Sequence, residues 1–168
     1  MRGTTIALLA LWSVAGCSNA PEAKGPEHNE AAQDITQKFG DAVLAGKYDE
    51  AHSLLTTEAQ KTFTAEWIKR EYEAKVGEIR QGTPTFKADR VEAGFGSLPD
   101  DEKEMKETYG VPNAPPKDTW IAWASADIGA SESTSSGPEI VQGISTRLLV
   151  VKDGGRPKIA HVEFEFMD

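Results

Sequence analysis

Among the side chains of types that transfer protons in enzymes, the sequence singles out three candidates: His52, Tyr72 and Asp127. Imidazoles, phenols and carboxylates act as general acids and bases when they share one site. Nothing in their spacing along the chain places these three together. His52 follows Ala51 in a short helical segment, and Tyr72 occupies a core position in a longer one, where a packed ring is expected. Tyr72 and Asp127 are candidates for lining a pocket, and no residue is predicted to be catalytic.

A second group of candidates consists of His161, Glu163 and Glu165, at positions i, i+2 and i+4 of a strand-like run. Alternation along a strand places all three on one face, opposite Val162 and Phe164. An imidazole and two carboxylates could hold a metal ion. The same spacing is typical of a solvated strand face, and the sequence favours that interpretation.

Other motifs that would announce a chemistry are missing from the sequence. It contains no zinc-type spacing of Cys and His, no glycine-rich phosphate loop and no G-x-S-x-G motif. No metal and no cofactor are therefore predicted. The 18 Lys and Arg against 27 Asp and Glu give a formal charge of -9, which disfavours nucleic acid as a partner. These features favour a protein that is not an enzyme.

The first 16 residues, MRGTTIALLALWSVAG, have the composition of an export signal. A positive charge at Arg2 precedes an apolar run that is followed by small residues. The run is shorter than the roughly 20 residues that a helix needs to cross a bilayer. We therefore expect residues 1–16 to be a cleaved signal peptide and not a permanent membrane anchor.

The end of this segment resembles the lipobox of bacterial lipoproteins, in which an aliphatic residue and two small residues precede a cysteine. The matching residues are Val14, Ala15, Gly16 and Cys17, the single cysteine of the chain. The resemblance implies lipid attachment at Cys17 and anchoring to a membrane of the bacterial cell envelope, outside the cytoplasm. Because Ser18 and not Asp follows the cysteine, the outer membrane is expected if the cell is Gram-negative.

The rest of the chain divides into a tether and one domain. Residues 17–29 contain the lipidated cysteine and a segment rich in Pro, Gly, Ala and charge, which has no apolar period and predicts a flexible tether. A chain of 168 residues with 39% hydrophobic residues is typical of one soluble globular domain. That domain is predicted to span residues 30–168.

Helical spacing of apolar residues opens the domain. Ile35 and Phe39 mark a first helix, residues 48–55 a second, short one, and Thr64 is expected to cap a third. After residue 85 the period changes to two, as in strands. Four strand-like runs follow, at residues 86–95, 119–129, 143–153 and 156–166.

The absence of long helices between these runs predicts an antiparallel sheet. Gly94 suits a bulge or a bend in the first strand of a curved sheet. A short surface helix is expected around Met105 and Tyr109, and the polar segment 130–143 is expected to be a mobile loop.

Residues 35–74 resemble the opening of NTF2-like proteins (cystatin-like, of the SnoaL/ketosteroid-isomerase type). The residues that carry the match are Phe39, Gly46, Tyr48, Ala51, Leu54, Leu55 and Thr64. The resemblance implies an α+β fold: a conical half-barrel with three N-terminal helices packed on a curved antiparallel sheet of about four strands, leaving a pocket. This fold hosts isomerases, hydrolases and non-catalytic binding or dimerising domains, so it does not select a function. None of the acid, base or oxyanion groups of the isomerases can be assigned to a position in this sequence.

The strand WIAWASADI offers one apolar face and one mixed face. The apolar face, which is expected to contact the helices, consists of Trp120, Ala122, Ala124, Ala126 and Ile128. Its small alanines either allow close helix packing or leave room for a ligand. Ile121 and Trp123 would then lie on the outer face, where a large ring must be covered by loops or by another chain. They are candidates for an interface in a homodimer or with an envelope protein.

The sequence therefore favours a non-catalytic envelope lipoprotein whose NTF2-like domain binds a protein partner or a small ligand, with membrane attachment through the lipid on Cys17. The alternative is a small-pocket isomerase or hydrolase of the NTF2-like type. Paired acid and base groups in one dry pocket would favour the enzyme. A pocket without titratable groups would favour binding.

Overall fold

A computed structural model describes residues 30–167, so the predicted signal peptide, Cys17 and the tether lie outside the described residues. The helices are α1 (Glu30–Leu44), α2 (Tyr48–Ser53), α3 (Thr57–Thr62), α4 (Ala65–Gly82) and α5 (Glu102–Glu107). The strands are β1 (Arg90–Gly96), β2 (Trp120–Thr134), β3 (Gly137–Asp153) and β4 (Arg156–Phe166). None of the helices in residues 30–167 has the length and hydropathy needed to cross a membrane.

The four strands form one open antiparallel sheet in the order β1-β2-β3-β4, so each strand pairs with its neighbour along the chain. Helices α1 to α4 precede the sheet and pack on one of its faces, which we call the inner face. The predicted α+β class and the antiparallel sheet of four strands are confirmed.

Within residues 30–167, four helices precede the sheet, where the sequence predicted three. Two threonine caps separate α3 from α4: the Thr56 side chain accepts a hydrogen bond from the Ala59 N–H at 3.2 Å, and the Thr64 side chain accepts one from the Trp67 N–H at 3.1 Å. Such caps satisfy backbone donors that a helix N-terminus leaves free. The predicted cap at Thr64 is confirmed, and the short helix before it is the one that the sequence analysis missed.

The main core lies between the inner face and the helices, and α1 approaches the sheet closely at Gly40. A Cβ atom at this position would lie 2.5 Å from Val91 Cγ1 and 3.1 Å from Ala126 Cβ, so only glycine fits. Ala122, Ala124 and Ala126 are at most 8% exposed beneath the helices. The small residues of β2 therefore allow close helix packing, which decides between the two explanations that the sequence left open.

Residues 130–142 form the paired ends of β2 and β3, so the prediction of a mobile loop is wrong. Ala130 pairs with Gln142, and Thr134 pairs with Gly137 at the turn. The turn is closed by Thr134, whose hydroxyl donates to the Gly137 carbonyl at 2.7 Å and accepts from the Ser136 N–H at 3.2 Å. Composition misled here because backbone pairing within a hairpin does not require apolar side chains.

The register between β1 and β2 is continuous through Gly94, so of the bulge or bend expected there, the bulge does not occur. Gly94 pairs with Ser125, and a Cβ there would lie 2.7 Å from Ser125 Oγ, so a larger residue would require the serine side chain to move. The irregularities lie elsewhere: in β2 between Trp120 and Ala122, and again between Ala130 and Ser131. A third separates Leu149 from Val150 in the pairing of β3 with β4.

The irregularity at Ile121 reverses two predicted side-chain directions. Trp120 packs on the outer face of the sheet, and Ile121 packs against the main core. Strict alternation along β2 predicted the opposite face for both residues. The prediction was wrong because the extra residue at Ile121 interrupts the alternation between the two faces of the strand. Trp123 lies on the outer face as predicted, but it is only 7% exposed.

A second hydrophobic cluster covers this end of the outer face. We call it the outer cluster; its buried members are Met105, Val111, Trp123, Leu149 and Val151. Met105 comes from the predicted surface helix α5, and the Tyr109 ring contacts the Trp123 indole edge-on at 4.9 Å between centroids. The segment between β1 and β2 therefore covers Trp123 within the same chain, and Ile121 and Trp123 do not form one exposed patch.

Candidate binding cleft

Tyr72 and Asp127, the two pocket candidates from the sequence, lie on opposite faces of the sheet. Tyr72 is 8% exposed in the main core, and its ring centroid lies 6.5 Å from that of Phe164. The pKa of its phenol is raised, mainly because the ring is buried. Asp127 alternates with the buried Ala126 and Ile128, so it faces outward, where its carboxylate accepts a hydrogen bond from Ser145 Oγ at 2.7 Å. The two candidates therefore do not come together in one site, and neither lines the cleft described below.

His52, the third proton-transfer candidate, links two short helices. Its Nε2 lies 3.2 Å from the Gln60 carbonyl, and Gln60 Nε2 donates to the His52 carbonyl at 3.2 Å. These two contacts bridge α2 and α3. The imidazole makes a local structural contact, and its hydrogen-bond partner is Gln60 and neither Tyr72 nor Asp127.

A cleft of about 730 Å³ opens between α3, the proline-rich segment 111–119 and the end of the β3–β4 hairpin. Its walls are formed by apolar and neutral polar side chains from these three parts of the chain. They include Thr57, Thr62, Phe63, Val111, Asn113, Val151, Ala160 and His161. The charged side chains of the lining are Glu58, Lys152 and Asp153, and all three are exposed to solvent.

His161 is half-buried in this cleft and contacts two aromatic rings. Its imidazole lies nearly parallel to the Trp123 indole, with 6.3 Å between centroids and 20° between planes. The Phe63 ring meets it edge-on at 5.4 Å and 88°. The prediction of a solvated face is therefore wrong for His161, because the rings of Trp123 and Phe63 pack against its imidazole. Alternation gave the correct face but carried no information about what packs on it.

Burial lowers the pKa of His161 from 6.5 to about 4. Taking an imidazolium ion out of water is unfavourable, and no neighbouring charge compensates in this site. The ring is therefore neutral near pH 7, with one nitrogen that donates a hydrogen bond and one that accepts. A base with such a low pKa is poorly matched to proton abstraction at neutral pH.

Glu163 and Glu165 lie further along β4, on the polar half of the outer face. Arg147 Nη2 and Glu165 Oε2 form an ion pair at 2.7 Å. Burial raises the pKa of Glu163, Glu165 adds to this, and Arg147 opposes it. In the part of the chain that the structure describes, no cluster of three or more His, Cys, Asp or Glu side chains is arranged to hold a metal ion.

The cleft was not selected from the sequence, because its lining comes from three segments that lie far apart in the chain, within residues 56–63, 111–119 and 151–161. The partial signals were the proline-rich segment after α5 and the hairpin at Asp153–Gly155, which together border it. Comparison with known proteins adds no guide, since no protein-family model, curated protein or solved structure matches this chain. The functional argument rests on the geometry of the cleft.

Proposed function

We propose that this protein is a non-catalytic lipoprotein of a bacterial cell envelope, and that its NTF2-like domain binds a small ligand in the cleft. The observation that carries this proposal is the cleft itself, with a volume of about 730 Å³, walls of apolar and neutral polar side chains, and charges only where solvent reaches. Small-molecule sites in proteins are typically concave, of about 300–1,000 Å³, and mostly apolar with a few polar groups. The cleft is concave, its volume lies in this range, and the larger part of its lining surface is apolar.

The element order and the lipobox support the remaining parts of the proposal. Helices followed by an open antiparallel sheet are compatible with the half-barrel that the resemblance at residues 35–74 implies. The match at residues 14–17 supports a lipid on Cys17, at the outer membrane in a Gram-negative cell. With residues 17–29 as a spacer, such an anchor would hold the cleft near a membrane surface and outside the cytoplasm.

A small ligand suits the cleft better than a protein partner or a second copy of the chain. Aromatic residues that anchor protein interfaces must be accessible before binding. Trp123 is 7% exposed beneath α5, so this ring is not accessible in the folded chain. An isomerase or hydrolase would need acid and base groups in one pocket, and Tyr72 and Asp127 lie on opposite faces of the sheet.

A fluorescent probe and a matched pair of variants test the proposal. The probe is N-phenyl-1-naphthylamine, which is uncharged near pH 7 and gains fluorescence in apolar sites. Thr62→Trp places a large ring in the cleft, whereas Thr85→Trp places the same ring at an exposed turn outside it. We expect binding to the wild type and to Thr85→Trp, and at least tenfold weaker binding to Thr62→Trp. Equal affinity of the two variants, or no binding to the wild type, would contradict the proposal.

A further inference from the structure

The ring of His161 carries polar atoms that the folded chain leaves available. Within residues 30–167, its interactions are the two aromatic contacts, and no hydrogen bond joins either ring nitrogen to another residue. Neither ring nitrogen is among the buried unpartnered atoms of the described residues, so water can reach them, and a ligand group that replaces this water gains the modest net stabilisation of one hydrogen bond. Because His161 lines the cleft, a ligand bound there is in a position to supply that partner.

The charges around the cleft offer no buried counterion to a charged ligand. Glu58 is already paired with Lys61, at 2.5 Å between Nζ and Oε2. Lys152 and Asp153 have opposite signs, are adjacent in the chain and are both exposed. A carboxylate or an ammonium group that entered the apolar part of the cleft would lose its hydration without gaining an ion pair. The cleft therefore favours uncharged ligands.

The apolar surface beside His161 is of the kind that packs against flat rings. Phe63 presents an aromatic ring, and Val111 and Ala160 present aliphatic groups in the same lining. Aromatic rings pair well with other rings in offset or edge-on arrangements. Thr62 and Asn113 add neutral polar groups that can bind water or a second polar atom of a ligand.

From these observations we infer that the cleft selects uncharged ring compounds that carry a hydroxyl or carbonyl group, with the ring against Phe63 and the polar group hydrogen-bonded to His161. This inference rests on the proposed function, since it names the ligand class of the same cleft. A hydroxyl can donate to the imidazole or accept from it, and a carbonyl can accept from it. The neutral imidazole satisfies either arrangement through its tautomers.

Four probes that share one ring system and differ in one group test the ligand class in the purified wild-type protein near pH 7. They are 2-naphthol, 2-methylnaphthalene, 2-naphthoate and 2-naphthylmethylammonium, titrated while NMR follows the backbone amides and the His161 ring nitrogens. We expect 2-naphthol to bind about threefold to tenfold more tightly than 2-methylnaphthalene, as one hydrogen bond provides. Both charged probes should bind more weakly than 2-naphthol. Only 2-naphthol should shift the His161 ring nitrogen signals strongly.

The variant His161→Leu separates the hydrogen bond from ring packing. Leucine keeps an apolar side chain of similar size, so 2-methylnaphthalene should bind it about as tightly as it binds the wild type. The preference for 2-naphthol should fall to less than about twofold. His161→Gln, which retains a donor and an acceptor, should preserve part of the preference. The wild-type ring nitrogen shifts keep the test decisive if either variant folds poorly.

The outcomes distinguish this inference from the proposed function. If none of the four probes shifts the amides of Thr62, Phe63 and Asn113, the cleft is not a ligand site and both ideas fail. If a charged probe binds most tightly, or if His161→Leu keeps the full preference for 2-naphthol, the cleft is a ligand site and the inference about its ligand class is overturned.

Discussion

The imidazole of His161 stacks on the indole of Trp123, with 6.3 Å between ring centroids and 20° between their planes. His161 also contacts the ring of Phe63, the residue that follows α3, with 5.4 Å between centroids. This one residue of β4 therefore connects the end of α3 to the outer cluster. The ring therefore contributes to the packing of the fold and to the lining of the cleft. Any change in its charge is expected to affect both.

The first prediction concerns the dependence of stability on pH. The pKa of His161 is about 4 in the folded chain and 6.5 in the reference state. The unfolded chain therefore takes up the proton first as the pH falls, so this residue's contribution is fully present above pH 6.5, is lost between about pH 6.5 and 4, and stays lost below that. The free energy of unfolding should drop by about 2 to 3 kcal/mol across this window.

Carboxylates also titrate near the lower end of that window, so a control variant is needed. His161→Leu removes the imidazole and leaves the acidic groups of the cleft, Glu58 and Asp153, in place. Urea unfolding at pH 7 and at pH 4.5 should show a smaller loss of stability in the variant than in the wild type. Equal losses would show that His161 does not titrate as the structure indicates.

The second prediction compares two phenylalanines on the same strand. Phe164 is 8% exposed and packs against the rings of Trp67 and Tyr72, whereas Phe166 is 40% exposed. Phe164→Ala should lower the free energy of unfolding by about 3 to 5 kcal/mol, as for other buried aromatics. Phe166→Ala should cost about 1 kcal/mol or less, including its contact with the Lys75 ammonium. Similar losses in urea unfolding would mean that the inner face of β4 has been misassigned.

The sequence correctly predicted the parts of the fold that depend on short-range patterns along the chain. Helical spacing at Ile35 and Phe39 and the threonine cap at Thr64 are short-range signals, and the structure contains both. The face of β2 depends on an unbroken period of two, which the extra residue at Ile121 interrupts. A bulge leaves no mark in hydrophobic alternation, so the directions of Trp120 and Ile121 were predicted the wrong way round.

The third prediction is that Trp123 stabilises the fold of its own chain. The sequence suggested that this ring contacts another chain, in which case Trp123→Ala would weaken association and spare the unfolding of the monomer. The ring is buried under Met105 and Tyr109, so the variant should instead lower the free energy of unfolding by about 3 to 5 kcal/mol. Met105→Ala, which removes part of its cover, should lower it by about 2 to 5 kcal/mol.

Sedimentation of the same two variants provides the control. If Trp123 stabilises the chain from within, neither substitution changes the mass of the wild-type species under native conditions. A wild-type dimer that dissociates in Trp123→Ala, with thermal unfolding of the monomer unchanged, would restore the interface interpretation and show that α5 is displaced on association.

The candidate site was harder to predict than the fold, since it depends on contacts between distant segments. His161 could be placed on the outer face from alternation, but its neighbours Phe63 and Trp123 lie 98 and 38 residues earlier in the chain. The pKa of the imidazole is set by this burial and not by an adjacent residue in the sequence. Tyr72 and Asp127 were chosen by residue type alone, which does not report the face of the sheet on which each lies.

The last prediction concerns the membrane anchor. The residues Val14, Ala15 and Gly16 before Cys17 match a lipobox, so Cys17→Ser should remove the nucleophile that accepts the lipid. In a bacterial host that lipidates such proteins, the wild type should be recovered in the detergent-extracted membrane fraction with a mass increased by acyl chains. The variant should leave that fraction or retain residues 1–16. Ser18→Ala, which alters the next residue and leaves the thiol intact, should still be lipidated. A mature form whose mass and membrane partitioning are unchanged by Cys17→Ser would rule out lipid anchoring at this position.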